Sequence, residues 1–408
     1  MPDENILDYP SAAALVREHA ARLQAPTRRE TLPVLESLGR VLGTPVLADR
    51  DQPPFDRSTR DGYAVRTEDI GKPLRVVGQL RAGQPPFAGT IGAGEALEIM
   101  TGAPMPAGAD AVLMVEHADA SPTGISAQAG RTLKPGDNVV PAGAEARAGA
   151  VILPAGTRLT PMHIGAAVSA GAANVEIYAQ PRVAILATGD ELVEPGEPLL
   201  THQIRNSNSY SLAAQVMRAG AVPVRLPIVH DNLDALQAAI RQAMEADLIL
   251  LSGGVSMGKF DFVEQVLAAV DAKFFFTGVR MQPGKPVVFG SLPLNKYFFG
   301  LPGNPVSTMV TFALFAAPLI RALGGEHDPQ PVFARARLAT DFKHQGGTTR
   351  FLPALLNAAW DRAEVTPVPW QGSGDLAATA RANCFVIIPP DRQMVAAGSE
   401  VGVLLAYS

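Results

Sequence analysis

Three short stretches of the chain place glycine beside hydroxyl, amide or carboxylate side chains directly after aliphatic runs. ATGDEL supplies Thr188, Gly189, Asp190 and Glu191. SGGVSMGKFD supplies Ser252, Gly253, Gly254, Ser256 and Gly258, with Asp261 closing the segment. GLPGNPVS supplies Gly300, Pro302, Gly303, Asn304, Pro305 and Ser307. Glycines let backbone N–H groups approach an anion closely, and a following helix adds its unpaired N–H groups and dipole. Serine hydroxyls add donors to phosphate oxygens. Asp190, Glu191 and Asp261 are carboxylates of the kind that hold Mg²⁺ when ligand phosphates complete its shell. A fourth stretch, MQPGKP, fixes Lys285 between Gly284 and Pro286 as a point charge suited to an anion. Any one loop also reads as a tight turn whose acids cap helices. Three such loops on one sheet favour a nucleotide-like ligand.

Other chemistries lack their fingerprints. There is no G-x-x-x-x-G-K-[ST] and no G-x-G-x-x-G opening a βαβ unit. The seven histidines are scattered without metal-ligand spacing, and His230, before Asp231, reads as a polar loop residue. Net charge is −5 with no Lys/Arg block, which argues against nucleic acid as a partner. The single cysteine, Cys384, excludes an intrachain disulfide and a cysteine metal cage, and its place in CFVII reads as a buried strand thiol. The acidic N-terminal stretch MPDENILDYP is unlike a signal peptide, and no uninterrupted apolar run reaches the length of a membrane span. No membrane association and a cytoplasmic location are the expectations.

The elements that must position these loops follow from periodicity. At 408 residues the chain exceeds one ordinary core, so about two to four domains are expected. Residues 11–23 have helical spacing with Ser11 as N-cap, and 35–47 contain a second short helix. Residues 74–138 alternate short apolar runs with Gly/Pro turns and read as a β-rich part. Helical spacing returns at 161–170, so the β-rich part reads as an insertion. From Arg182, aliphatic strands alternate with helices, which predicts a mostly parallel sheet covered on both faces. In such sheets ligands sit at the carboxyl ends of the strands, where the three loops fall. After Gly324-Gly325 the pattern becomes all-β for roughly 80 residues, an ordinary domain size.

PPFDRSTRDGYAV, EIMTGAPMPAGADAV, ATGDEL, SGGVSMGKFD, MQPGKP and GLPGNPVS occur together in this order. Over nearly its whole length the chain resembles the molybdopterin molybdenumtransferases: bacterial MoeA, and the E domains of gephyrin and its plant counterpart. SGGVSMG alone would also suit the adenylyltransferase MogA; PPFD…DGYAV and IMTGAP separate the two. The resemblance implies a multidomain α/β fold. Residues 1–47 with 145–178 would form a discontinuous helical N-terminal domain, and 48–144 the inserted β-rich domain. Residues 179–325 would be the MogA-like, doubly wound, mostly parallel sheet domain, and 326–408 a C-terminal β-barrel-like domain.

It further implies Mg²⁺-dependent insertion of molybdate into adenylylated molybdopterin, with release of AMP, in a homodimer. A MogA-type adenylyltransferase would supply the substrate and molybdoenzyme acceptors would take the product. Ser252, Gly253, Gly254, Ser256 and Gly258 would bind the pterin phosphate, beside Pro302, Gly303 and Asn304. Asp190, Glu191 and Asp261 would hold or face the metal, and Asp231 would be a further acid. Asp61 and Thr101 would reach across the dimer cleft, while Lys285, Ser307, Arg350 and Ser373 would hold molybdate. The adenylyltransferase step, a non-catalytic molybdopterin-binding scaffold and a tungstate-handling paralogue are the alternatives. The chain departs from the pattern at Gln282, where many members carry lysine, and at Val140-Pro141-Ala142, where arginines are expected. Glu145 stands for an aspartate there, and Ser58-Thr59-Arg60 for Ser-Ala-Met. Arg57 and Arg60 are candidates to restore the missing charge.

Overall fold

A central six-stranded sheet orders Val222–Arg225, Arg182–Ala187, Leu248–Ser252, Lys296–Leu301, Val288–Leu292 and Lys273–Phe276. The structure is a computed structural model that describes residues 5–230, 232–253 and 265–405. The first four strands of the sheet run parallel, and the last two join through antiparallel pairings. Side chains alternate strictly across it. Val183, Ile185, Leu248, Leu250 and Phe299 enter one core; Ala184, Leu186, Ile249, Leu251 and Phe298 enter the other. Helix Ser207–Arg218 and the segment Pro305–Leu323 cover the first face, and helix Leu233–Ala243 covers the second. Two buried faces explain why these strands read as unbroken aliphatic runs. Pro305–Leu323 is long and apolar enough to cross a membrane, but 72% of it is buried within the protein, as suits a core helix.

Helix Tyr9–Ala21 packs Ala12 and Val16 into the first core. Asp8, rather than Ser11, is its N-cap: the Asp8 carboxylate accepts the Ser11 N–H at 2.8 Å, so the cap lies three residues before the expected point. The short helix expected in 35–47 is a single 3₁₀ turn, Val34–Ser37. That turn shares a core with helix Pro161–Ser169 and strand Asn174–Tyr178, which pairs with Arg29–Pro33. The chain segments on either side of the β-rich part therefore pack together.

The β-rich part centres on a four-stranded sheet ordered Arg75–Leu80, Glu95–Ile99, Gly62–Val65, Ala111–Met114. Gly62 is required at its middle, because a Cβ there would lie 2.0 Å from the Leu113 carbonyl oxygen. At the C-terminal end, Thr349–Ala358, Ala363–Pro367, Phe333–Leu338, Glu400–Leu404 and Cys384–Ile388 close into a five-stranded barrel, the last strand pairing back with the first. Cys384 lies in the barrel core as a buried thiol. Phe351, Phe385 and Leu404 join the core of the central sheet, where the Tyr9 ring meets Phe351 edge-on at 5.3 Å. Barrel and sheet thus share one apolar seam.

Candidate active site at the strand ends

Thr188, Ser252 and Gly303 lie at the carboxyl ends of three adjacent parallel strands, and the ladder carries them to one edge. Thr188 donates its N–H to Ser252 O at 3.1 Å, and Gly189 donates to Val229 O at 3.2 Å. Gly253 takes φ +91°, and a Cβ there would sit 2.6 Å from the Thr188 carbonyl oxygen. Gly303 approaches so closely that its own Cβ would lie 3.7 Å from the Gly253 Cα. Asn208 ties the loops together: its Nδ2 donates to Ser252 Oγ at 3.0 Å and to Gly303 O at 2.8 Å. Sequence reasoning missed Asn208. Its signal was an amide in the first turn of a helix that opens beside the strand ends. Among the described residues, Thr188 Oγ1 is buried at this junction without a hydrogen-bond partner, a polar atom left for a ligand or water. Gly254, Ser256, Gly258, Asp261 and Asp231 lie outside the described residues.

Asp190 and Glu191 are exposed beside this crevice, with His230 Nδ1 3.1 Å from Asp190 Oδ1. Glu194 anchors the segment behind them. It accepts from Tyr210 OH at 2.7 Å, Asn206 Nδ2 at 3.0 Å and Arg225 Nη2 at 3.1 Å. The Arg225 guanidinium also stacks 3.6 Å from the Tyr210 ring centroid. Burial pushes the Glu194 carboxyl up, but the bonds from Tyr210, Asn206 and Arg225 outweigh it and hold the group below its ordinary value. Among the described residues no group of three or more His, Cys, Asp or Glu could cage a metal. The adjacent carboxylates of Asp190 and Glu191 fit Mg²⁺, which takes one or two carboxylates and fills its shell with water and phosphate oxygens.

The barrel reaches the same edge. Asn304 caps the helix that begins at Pro305, and its Nδ2 donates to Ser373 Oγ at 2.9 Å. Val306 donates its N–H to Ser373 O at 3.0 Å, and Ser307 is buried in that first turn. The Pro302 carbonyl accepts from Thr308 Oγ1, which fixes the approach to the helix. Met281–Gln282 pairs parallel with the barrel strand, setting Gln282 opposite Arg350. Lys285 is exposed on the turn that follows, and Arg350 Nε is buried without a partner among the described residues. Both cations therefore flank one seam between sheet and barrel.

Asp61 and Thr101 meet each other in the inserted part. Gly62 pairs with Ile99, so the residues just beyond these strands adjoin. Asp61 Oδ1 accepts from Thr101 N at 2.7 Å and from Thr101 Oγ1 at 2.8 Å. The backbone bond first, then the hydroxyl, hold the Asp61 carboxyl below the usual carboxylate value. Among the described residues, no hydrogen bond or ion pair joins this couple to the strand-end loops of its own chain.

Residues 7–171 match the model of the MoeA N-terminal region (domain I and II). Residues 184–322 match the probable molybdopterin binding domain, and 335–406 the MoeA C-terminal region (domain IV). The molybdopterin molybdenumtransferase of a Nostoc species is 37% identical over 396 residues, covering 94% of this chain and 90% of that one. The Bacillus subtilis enzyme of the same name is 37% identical, covering 91% and 88%. A solved molybdopterin biosynthesis MoeA protein from Pyrococcus horikoshii superposes with a TM-score of 0.73 at 30% identity, over 99% of this chain and 100% of that one. Another solved molybdopterin biosynthesis MoeA protein, from Pyrococcus horikoshii OT3, gives 0.79 at 27%, over 98% and 100%. Fold and site together define a multidomain transferase built around a MogA-like sheet domain. The chain belongs to the MoeA family of molybdopterin molybdenumtransferases, enzymes of molybdenum cofactor biosynthesis.

Proposed function

We propose that the protein inserts molybdate into adenylylated molybdopterin in an Mg²⁺-dependent reaction that releases AMP. The observation that carries this reading is the junction in which Asn208 joins Ser252 to Gly303 while Ser373 of the barrel joins Asn304. Backbone and hydroxyl donors at one sheet edge suit a pterin phosphate. Lys285 and Arg350 on the neighbouring seam suit a tetrahedral dianion, which takes charge-assisted hydrogen bonds, and Ser307 and Ser373 add hydroxyls. Mg²⁺ held by Asp190 and Glu191 would neutralise charge on the phosphate that leaves as AMP. The pterin dithiolene supplies the sulfur ligands, so a chain with one buried cysteine suffices.

Asp61 and Thr101 belong to this site in a homodimer, where the inserted part of one subunit faces the strand-end loops of its partner. Asp231, Asp261, Gly254, Ser256 and Gly258 complete it in this reading, on the resemblance alone. The four-part division of the chain, a cytoplasmic location, supply by an adenylyltransferase and delivery to molybdoenzymes belong to the same proposal. The test is a pair of incubations. Adenylylated molybdopterin with molybdate and Mg²⁺ should yield AMP and metal-loaded cofactor in equal amounts. Adenylylated product formed from molybdopterin and Mg-ATP would instead make the protein an adenylyltransferase. Running the first incubation with tungstate at equal low concentration addresses the choice of oxyanion.

A further inference from the structure

We propose that Arg57 is the cation with which the inserted part receives the anionic phosphoanhydride of the substrate, an inference that rests on the reaction proposed above. Strands Arg57–Ser58 and Val139–Val140 form an antiparallel pair in which Arg57 lies opposite Val140. The same pair is stitched to the Asp61–Thr101 couple: Ser58 N donates to Ala103 O at 3.0 Å, Gly102 N to Ser58 O at 2.8 Å, and Thr59 N to Asn138 O at 2.9 Å. Asp61 is thereby fixed, ionised, a few residues from Arg57. A patch that presents this carboxylate to a polyanion needs an opposing positive charge close by.

The facing strand offers none, since residues 139–144 read VVPAGA. Arg57 offers one that is already oriented. Its Nη2 sits 2.6 Å from Glu145 Oε1, while the side chain keeps 39% of its surface exposed. That contact engages a single nitrogen of a planar fork with five N–H donors, so donors remain for phosphate oxygens. Glu145 is itself 55% exposed, so the pair is a solvated contact that holds the guanidinium in place at little cost to exchange. Arg57 is therefore a substrate-binding residue supplied by the strand opposite the one where the resemblance leads one to expect arginines.

The ladder gives a specific test. Directly opposed residues on an antiparallel pair have Cβ atoms about 5 Å apart on one face. An arginine moved from position 57 to 140 thus starts from nearly the same place. Steady-state AMP release is measured for wild type, Arg57→Ala, Arg60→Ala and the double variant Arg57→Ala/Val140→Arg, with thermal melts as the folding control. Arg57→Ala should raise KM for adenylylated molybdopterin about tenfold or more with kcat little changed, as loss of a charged hydrogen bond present in ground and transition states predicts. The double variant should recover most of that loss, and Arg60→Ala should leave KM within about twofold of wild type, as for an exposed charge outside the contact. An unchanged KM in Arg57→Ala, or a raised KM that the double variant leaves untouched, overturns the inference. So does an Arg60→Ala defect as large as that of Arg57→Ala. Failure of the reaction itself would show as wild type releasing no AMP, a result separate from any of these.

Discussion

Replacing Gly253 by alanine sets a steric argument against a measurable loss. Gly253 holds φ +91°, and the new Cβ would meet the Thr188 carbonyl oxygen at 2.6 Å. A left-handed backbone costs a residue with a Cβ about 1–2 kcal/mol. Forcing a methyl into filled space adds about 1–3 kcal/mol. The carbonyl has little freedom to yield, because Thr188 donates to Ser252 O at 3.1 Å and bridges Val229 on its other side. The sum is a loss of about 2–5 kcal/mol. Gly303 is the internal control: its Cβ would meet only the Gly253 Cα at 3.7 Å, ordinary contact, and its φ lies outside the left-handed region. Alanine there should be neutral or stabilise by about 0.4–1 kcal/mol. Thermal unfolding of the full chain reads the difference. At about 2–4 °C per kcal/mol for a domain of this size, Gly253→Ala should lower Tm by about 5 °C or more. Gly303→Ala should stay near wild type. Equal Tm values for the two variants would refute the reasoning.

Three further outcomes follow from the same contacts. Asn208→Ala removes both bonds that tie Ser252 to Gly303, worth about 1–3 kcal/mol together, so kcat/KM for AMP release should fall about tenfold or more; an unchanged value would deny Asn208 its positioning role. Thr101→Val removes the hydroxyl bond to Asp61 but keeps the backbone one. Because the folded Asp61 pKa is lowered, its ionised contacts contribute above the unfolded pKa and are lost as pH falls through the folded one. The variant should therefore move the acid limb of the kcat/KM profile toward higher pH, and a limb that stays in place or moves down would contradict the assignment. Burial pushes the Cys384 thiol up to about 11, so it should resist thiol reagents at neutral pH until the protein is unfolded; rapid labelling of the native chain would contradict the barrel core.

The strand-end loops were legible because their signal is local. A run such as Leu248–Ser252 followed by glycine announces a buried strand and its end. The barrel strands were legible in the same way, from apolar alternation. What the chain did not reveal were relations set by register and packing. Asn208 gains its role only because the strands ending at Ser252 and Leu301 are neighbours in the sheet. Arg57 faces Val140, and Arg350 faces Gln282, through pairings between segments dozens of residues apart. The first helix began early because one carboxylate, Asp8, outcompeted the expected serine cap. Short polar side chains compete for the same N–H groups, and periodicity alone does not decide between them.

The central claim is that one site is assembled from the strand-end loops of one subunit and the Asp61–Thr101 couple of another. Its direct test mixes two inactive variants, Asp61→Ala and Glu191→Gln, after unfolding or co-expression so that subunits exchange. A mixed dimer would then hold one site with both residues intact and one with neither. AMP release by the equal mixture should recover to about a quarter of wild type, since half the dimers of a two-fold assembly are mixed and each carries one working site of two. A mixture that stays as inactive as its parents, with mixed dimers shown to form, would place both residues in the same subunit and contradict the account.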